Sequence, residues 1–87
     1  MTEQTMTATP LERAIGLTVQ DLAKEQGITH KEIQERCGMA DKTFRRYFTE
    51  FDRHIPAVEL ERVAAVLGVP LSEIARRAED RLKGSGK

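Results

Sequence analysis

The sequence predicts an all-α fold: a compact set of five short helices containing a helix-turn-helix. Three observations carry this. Apolar side chains recur three and four residues apart in successive stretches, and no stretch shows the strict alternation of a half-buried strand. Each stretch is bounded by a glycine, a proline or a small polar residue placed to start or stop a helix. The 87 residues leave room for one core. With Cys37 as the only cysteine there is no intrachain disulfide. Well-capped, closely packed helices are what remains to stabilise so short a chain.

The elements follow in order. Residues 1–9 are polar, Thr-rich and aperiodic, and read as a disordered arm whose only charge is Glu3. The first helix starts near Pro10 and runs to about Gln26, with Leu11, Ile15, Val19, Leu22 and Ala23 as its apolar stripe. Gly16 weakens it, and Gly27 ends it. Thr29 and Glu32 form a capping box that opens the second helix. Ile33 and Cys37 face inward, and Gly38 ends that helix.

The third helix follows Met39-Ala40, with Asp41 as its expected cap. It holds every aromatic residue of the protein: Phe44, Tyr47, Phe48 and Phe51, on one helical face. The fourth helix begins at Pro56, carries Leu60, Val63, Ala64 and Leu67, and ends at Gly68. The fifth begins at Pro70 or Leu71, with Leu71, Ile74, Ala75, Ala78 and Leu82 as its stripe. Its Arg-rich end complements the helix dipole. The domain therefore spans 10–83, and 84–87 read as a flexible tail.

Composition narrows the function. Lys+Arg and Asp+Glu both number 14, so the formal charge is zero. That argues against a polybasic, histone-like protein and leaves open a reader with a local basic face. Residues 29–54 carry 6 basic and 5 acidic side chains, so any separation of charge must lie across a helix rather than along the chain. No apolar run approaches a membrane span, and no signal-peptide layout is present. A cytoplasmic setting is expected, which one free cysteine fits. His30 and His54 are far apart and lack further ligands, so no metal or other cofactor is expected. No phosphate loop, nucleophile elbow or paired catalytic carboxylates appear, so no enzyme is expected.

Two registers offer a helix-turn-helix. Residues 18–37 place small Ala23 at the crossing and Gly27 in the turn. Residues 29–48 place Gly38 in the turn and Phe44 inward, but put Gln34 where a small side chain is preferred. Taken alone, the first looks cleaner. The whole chain reverses the preference. GITHKEIQERCGMADKTFRRYF from Gly27, followed by PAVELERVAAVLGVPLSEI, resembles the Cro/repressor-type family, the lambda-repressor-like or xenobiotic-response-element class of bacterial and phage regulators. The resemblance covers roughly residues 11–75, and the distance from Gly38 to Gly68 suits it where the distance from Gly27 does not. A helix boundary at Gly38 is the structural requirement of this register.

The resemblance implies a third helix in the major groove and a second helix whose start holds a phosphate. On that basis Asp41, Lys42 and Arg46 match base-reading positions, with Thr43 and Arg45 as adjacent candidates, and Thr29 and His30 match the start of the second helix; Lys31 and Arg53 complete the backbone candidates. Gln34 and Ala40 depart from the family pattern, as does a 49–55 loop slightly longer than usual that carries Asp52. The physics points the same way without the family. At about 100° per residue, Lys42, Arg45, Arg46 and Thr49 fall opposite the aromatic stripe with no carboxylate among them, and Arg53 joins them if the helix continues. Arg pairs with guanine edges, and Lys with guanine or phosphate.

Plainer readings stand beside these. Aromatic residues at helical spacing are ordinary core. A basic face can be a solvated surface. Asp41 stands either as a cap or as an acceptor for cytosine N4. Cys37 reads as a small core residue. The expected function is a sequence-specific transcriptional regulator, a phage or bacterial repressor that binds double-stranded operator DNA as a homodimer, at least when bound. No membrane or small-molecule partner is expected. The alternative is a helical protein-interaction module, adaptor or antitoxin, that has lost DNA readout.

Overall fold

The start and stop signals act close to where the sequence puts them. In a computed structural model that describes residues 8–85, the order is α1 (Pro10–Gln26), α2 (His30–Cys37), α3 (Asp41–Phe48), α4 (Ala57–Leu67) and α5 (Leu71–Ser85). Among the described residues there is no strand, and no helix is long and apolar enough to cross a membrane. Helices α1, α2 and α4 each end on a glycine of left-handed conformation: Gly27, Gly38 and Gly68.

The boundaries differ from the sequence reading at a few points. Thr9 is not arm but the N-cap of α1: its Oγ1 accepts from the Glu12 N–H at 3.1 Å, and its own N–H donates to Glu12 Oε1 at 2.8 Å. The Ala8 N–H is also engaged, donating to Phe51 O at 3.0 Å. The remaining arm positions, 1–7, lie outside the described residues, as do 86–87. Gly84 and Ser85 extend α5 rather than begin a tail, since a glycine in a last turn weakens a helix without breaking it. Pro56 caps α4 with an extended ψ of 141°, so the helix itself starts at Ala57.

Packing follows the apolar stripes. Helix α1 is central and touches α3, α4 and α5, while α2 packs against α4 and α3. Val19, Ile33, Phe44, Phe48, Val63, Ile74 and Ala78 are completely buried. Cys37 is buried among them, and burial followed by the charge of Glu59 pushes its thiol pKa up, as suits a small core residue. The predicted stripe of α1 is buried at Ile15, Val19, Leu22 and Ala23, while Leu11, in the first turn, is exposed and Thr18 is buried on the same face. Thr18 resolves its own polarity by donating Oγ1 to Ala14 O at 2.8 Å.

Two glutamines of α1 hold the ends of other helices. Gln20 Nε2 donates to Phe48 O at 2.7 Å, and Gln26 Nε2 donates to Leu67 O at 2.6 Å. Each satisfies a terminal carbonyl that its own helix leaves without a partner. On the opposite side, Arg77 reaches Glu25 and Arg81 reaches Asp21, tying α5 to α1. Arg76 and Arg77 both pair with Glu73, and Arg76 also meets Asp80. The arginines of α5 are therefore neutralised locally rather than forming a free basic surface.

The α3–α4 connection is fastened to the start of α1. Glu12 Oε1 meets His54 Nδ1 at 2.8 Å, and Oε2 accepts the Ile55 N–H at 2.8 Å. Burial opposes ionisation of Glu12, but the bonds from His54, from the Thr9 and Ile55 N–H groups and from the Thr9 hydroxyl outweigh it and hold the carboxyl below its ordinary range. A lowered folded pKa means that this stabilisation is complete above the unfolded carboxyl value of about 4.3 and is lost as pH falls through the folded one. Urea unfolding of wild type and Glu12→Gln, followed from about pH 6 to about pH 3, should therefore show a stability gap that closes on acidification. A gap of constant size would mean that the ionised carboxylate is not what holds the loop.

Gly16 explains itself against this loop. A Cβ built there would lie 2.5 Å from Phe51 Cε1 and 3.2 Å from Phe48 O. The ring of Phe51 occupies the space a side chain would take, with the Arg13 guanidinium 4.9 Å from its centroid on the outside.

Candidate nucleic-acid interface

The turn between α2 and α3 is built on Gly38. Its φ of 70° is a conformation that a Cβ penalises. Its N–H reaches Gln34 O and Glu35 O, and the next N–H, of Met39, donates to Gln34 O at 2.9 Å. These bonds close the end of α2 in a Schellman arrangement, and Met39 buries its side chain behind it. The break falls where the register of residues 29–48 requires it, and no continuous helix runs through 38–41.

Two fully buried rings seat α3. Phe44 and Phe48 stack with centroids 5.0 Å apart, and the His30 ring of α2 lies 5.3 Å from Phe44. Tyr47 is half-buried, edge-on to Phe48 at 6.1 Å. Phe51 reaches the core by another route. The helix stops at Phe48, and Phe51 sits in a loop with φ of 58°, a strained value for a residue with a side chain. The chain folds back over the helix end, where the Thr49, Glu50 and Asp52 N–H groups cover the carbonyls of Arg45 and Arg46.

The outward face comprises exposed Asp41, Lys42 and Arg45, with Thr43 and Arg46 half-buried beside them. The structure thus brings all five base-reading candidates together on one eight-residue helix. Arg53 does not join them. It is exposed on the loop, because α3 ends at Phe48 rather than continuing. Thr29, His30 and Lys31 are gathered at the start of α2. Thr29 spends its hydroxyl on the expected capping box, accepting from the Glu32 N–H at 3.1 Å. Thr29 and His30 also line an open depression of about 540 Å³ with Gln20, Lys24 and Ile28 of the α1–α2 corner.

The charge pattern is more particular than the sequence indicated. Asp41 is not the cap of α3; Ala40 is, without a capping side chain, and Asp41 is the first helical residue. Its Oδ1 accepts from Gln34 Nε2 at 3.0 Å, and its Oδ2 lies 3.2 Å from Arg45 Nε. Arg45 Nη1 also lies 3.9 Å from Glu50. The basic face therefore does meet carboxylates, at Arg45. Asp41 shares a helix face with it at four residues' spacing, and Glu50 returns because the helix has stopped. Lys42 and Arg46 differ: among the described residues, no carboxylate lies within ion-pairing distance of either. The Asp41–Arg45 pair was legible from spacing, whereas the Gln34 bond needed the crossing of two helices. Among the described residues, no three His, Cys, Asp or Glu side chains group as metal ligands.

A helix seated by rings on one side, carrying Lys and Arg on the other and preceded across a glycine turn by a helix of equal length, has the form that enters a major groove. Comparison with curated proteins gives no match. The family model described as helix-turn-helix matches residues 19–74, well over half of the chain. With α2, the Gly38 turn and α3 all inside that span, the chain belongs to the lambda-repressor-like (xenobiotic-response-element) family of helix-turn-helix DNA-binding domains.

Proposed function

We propose that this DNA-binding helix-turn-helix protein is a sequence-specific transcriptional repressor of bacterial or phage origin that acts in the cytoplasm by occupying operator DNA. The observation that carries this reading is the pair Lys42 and Arg46, opposite the buried rings of Phe44 and Phe48, with no carboxylate in ion-pairing distance of either among the described residues. In this reading α3 lies in the major groove. Arg46 and Arg45 take guanine edges, Lys42 takes guanine or phosphate, and Asp41 and Thr43 assist. Thr29, His30 and Lys31 at the start of α2, with Arg53 from the loop, meet the phosphate backbone, where an α-helix N-terminus already favours an anion. One copy reads one half-site, so two copies related by a two-fold axis, one DNA turn apart, form the bound species.

Zero net charge limits what non-specific attraction can contribute, so site recognition should dominate. The experiment is a salt titration against two duplexes, one selected by the protein from random DNA and one scrambled. Raising salt about fourfold should weaken binding about a hundredfold for a dimer that neutralises about four phosphates. The selected duplex should stay preferred throughout. One protein copy per duplex at saturation would rule out the dimer.

One observation favours the alternative, a protein-interaction module. Arg45 is already paired with Asp41 and Glu50, which leaves fewer free cations for phosphate than the sequence promised. Absence of binding to either duplex at low salt would select that reading.

A further inference from the structure

Gln34 is the most unusual residue of the helix-turn-helix. It occupies the crossing of α2 and α3, is only 9% exposed, and fills a place where a small side chain would pack without any polar obligation. A buried amide needs a partner. Gln34 Nε2 finds Asp41 Oδ1 at 3.0 Å. That bond fixes one oxygen of a carboxylate on the DNA-facing side of α3. The other oxygen, Oδ2, lies 3.2 Å from Arg45 Nε. Without an anchor, an exposed Asp–Arg pair four residues apart on a helix is weak and mobile. Here the acid is held by a residue of another helix.

We infer that Gln34 is a positioning residue for DNA readout: through Asp41 it sets the direction in which Arg45 meets a base edge. With Nε engaged by Asp41, the part of the guanidinium left for a base is its terminal pair of nitrogens. Nη1 lies 3.9 Å from Glu50, an ion pair without a hydrogen bond, so its N–H groups can still donate to a base. The amide, the carboxylate and the guanidinium form one chain from the helix crossing to the groove. The inference rests on the proposed reading of DNA by α3.

The test uses the full chain and the duplex that wild-type protein selects from random DNA, together with every single-base change of that duplex. Arg45→Ala marks the base pair that Arg45 reads. Gln34→Leu and Asp41→Ala should each lose about tenfold discrimination at that same base pair, with little change elsewhere. The double variant should be no worse than Asp41→Ala alone, because both changes cut one chain. Thermal unfolding confirms that each variant is folded. Should Gln34→Leu not fold, Gln34→Ala, with the small side chain that suits a helix crossing, carries the same comparison. Weakening spread evenly over all duplexes, or losses that add in the double variant, would reduce Gln34 to a packing residue and overturn the inference alone. A wild-type protein that selects no sequence would overturn the repressor reading and the inference with it.

Discussion

Phe44→Ala should lower the unfolding free energy by about 3–5 kcal/mol, the range for truncating a buried aromatic. The ring is completely buried and touches both Phe48 and the His30 ring, so the variant loses contacts on α2 as well as α3. Helix α3 has eight residues, too few to remain helical in water without tertiary support. Domains of this size hold roughly 5–15 kcal/mol in total, so the variant would be left close to unfolding at ordinary temperature. A circular-dichroism melt should show a fall in Tm of at least about 12 °C, at 4 °C or more per kcal/mol. A shift of only a few degrees would show that Phe44 is not the anchor of the helix.

Arg46→Ala should leave stability nearly intact and cost about 1–3 kcal/mol on the preferred duplex, with relaxed specificity at one base pair. Of the two arginines on α3, Arg46 is the one without a carboxylate within ion-pairing distance among the described residues. It breaks no intramolecular ion pair when it engages DNA, so its full interaction should appear as affinity. Competition between preferred and scrambled duplexes measures it. An unchanged preference ratio in the variant would remove Arg46 from readout, and an equal drop on both duplexes would make it a phosphate contact.

Much of this was written in the sequence, and the exceptions have physical reasons. The ends of α1, α2 and α4 were legible because each carries a glycine where a left-handed residue is needed, and the capping box of Thr29 and Glu32 is a local signal. The choice between two helix-turn-helix registers was also available, though only by weighing the whole chain against the local preference for a small residue at the crossing. The end of α3 was not legible. The spacing of Phe44, Phe48 and Phe51 fits a continuing helix, and nothing local reveals that Phe51 reaches the same core from a folded-back loop. The condition for Arg53 to join the basic face, a helix continuing past Phe48, is not met for that reason. Of the two roles the sequence leaves open for Asp41, capping falls to Ala40, and the freed carboxylate turns to Arg45 four residues on. Tertiary partners such as Gln34 for Asp41, or Gln20 for Phe48 O, are invisible to any periodic pattern.

The close fit of Phe51 over Gly16 has a historical consequence. An alanine at position 16 favours helix by about 1 kcal/mol over glycine, and without the ring only the Phe48 carbonyl, 3.2 Å from the new Cβ, would have to yield. With the ring in place, the same change drives Cβ into it. The two positions can therefore drift only in one order: the aromatic must shrink or leave before the glycine can grow. Within the family, a relative with any other residue at the position of Gly16 should have given up the aromatic at the position of Phe51, and its loop after α3 should follow a different path.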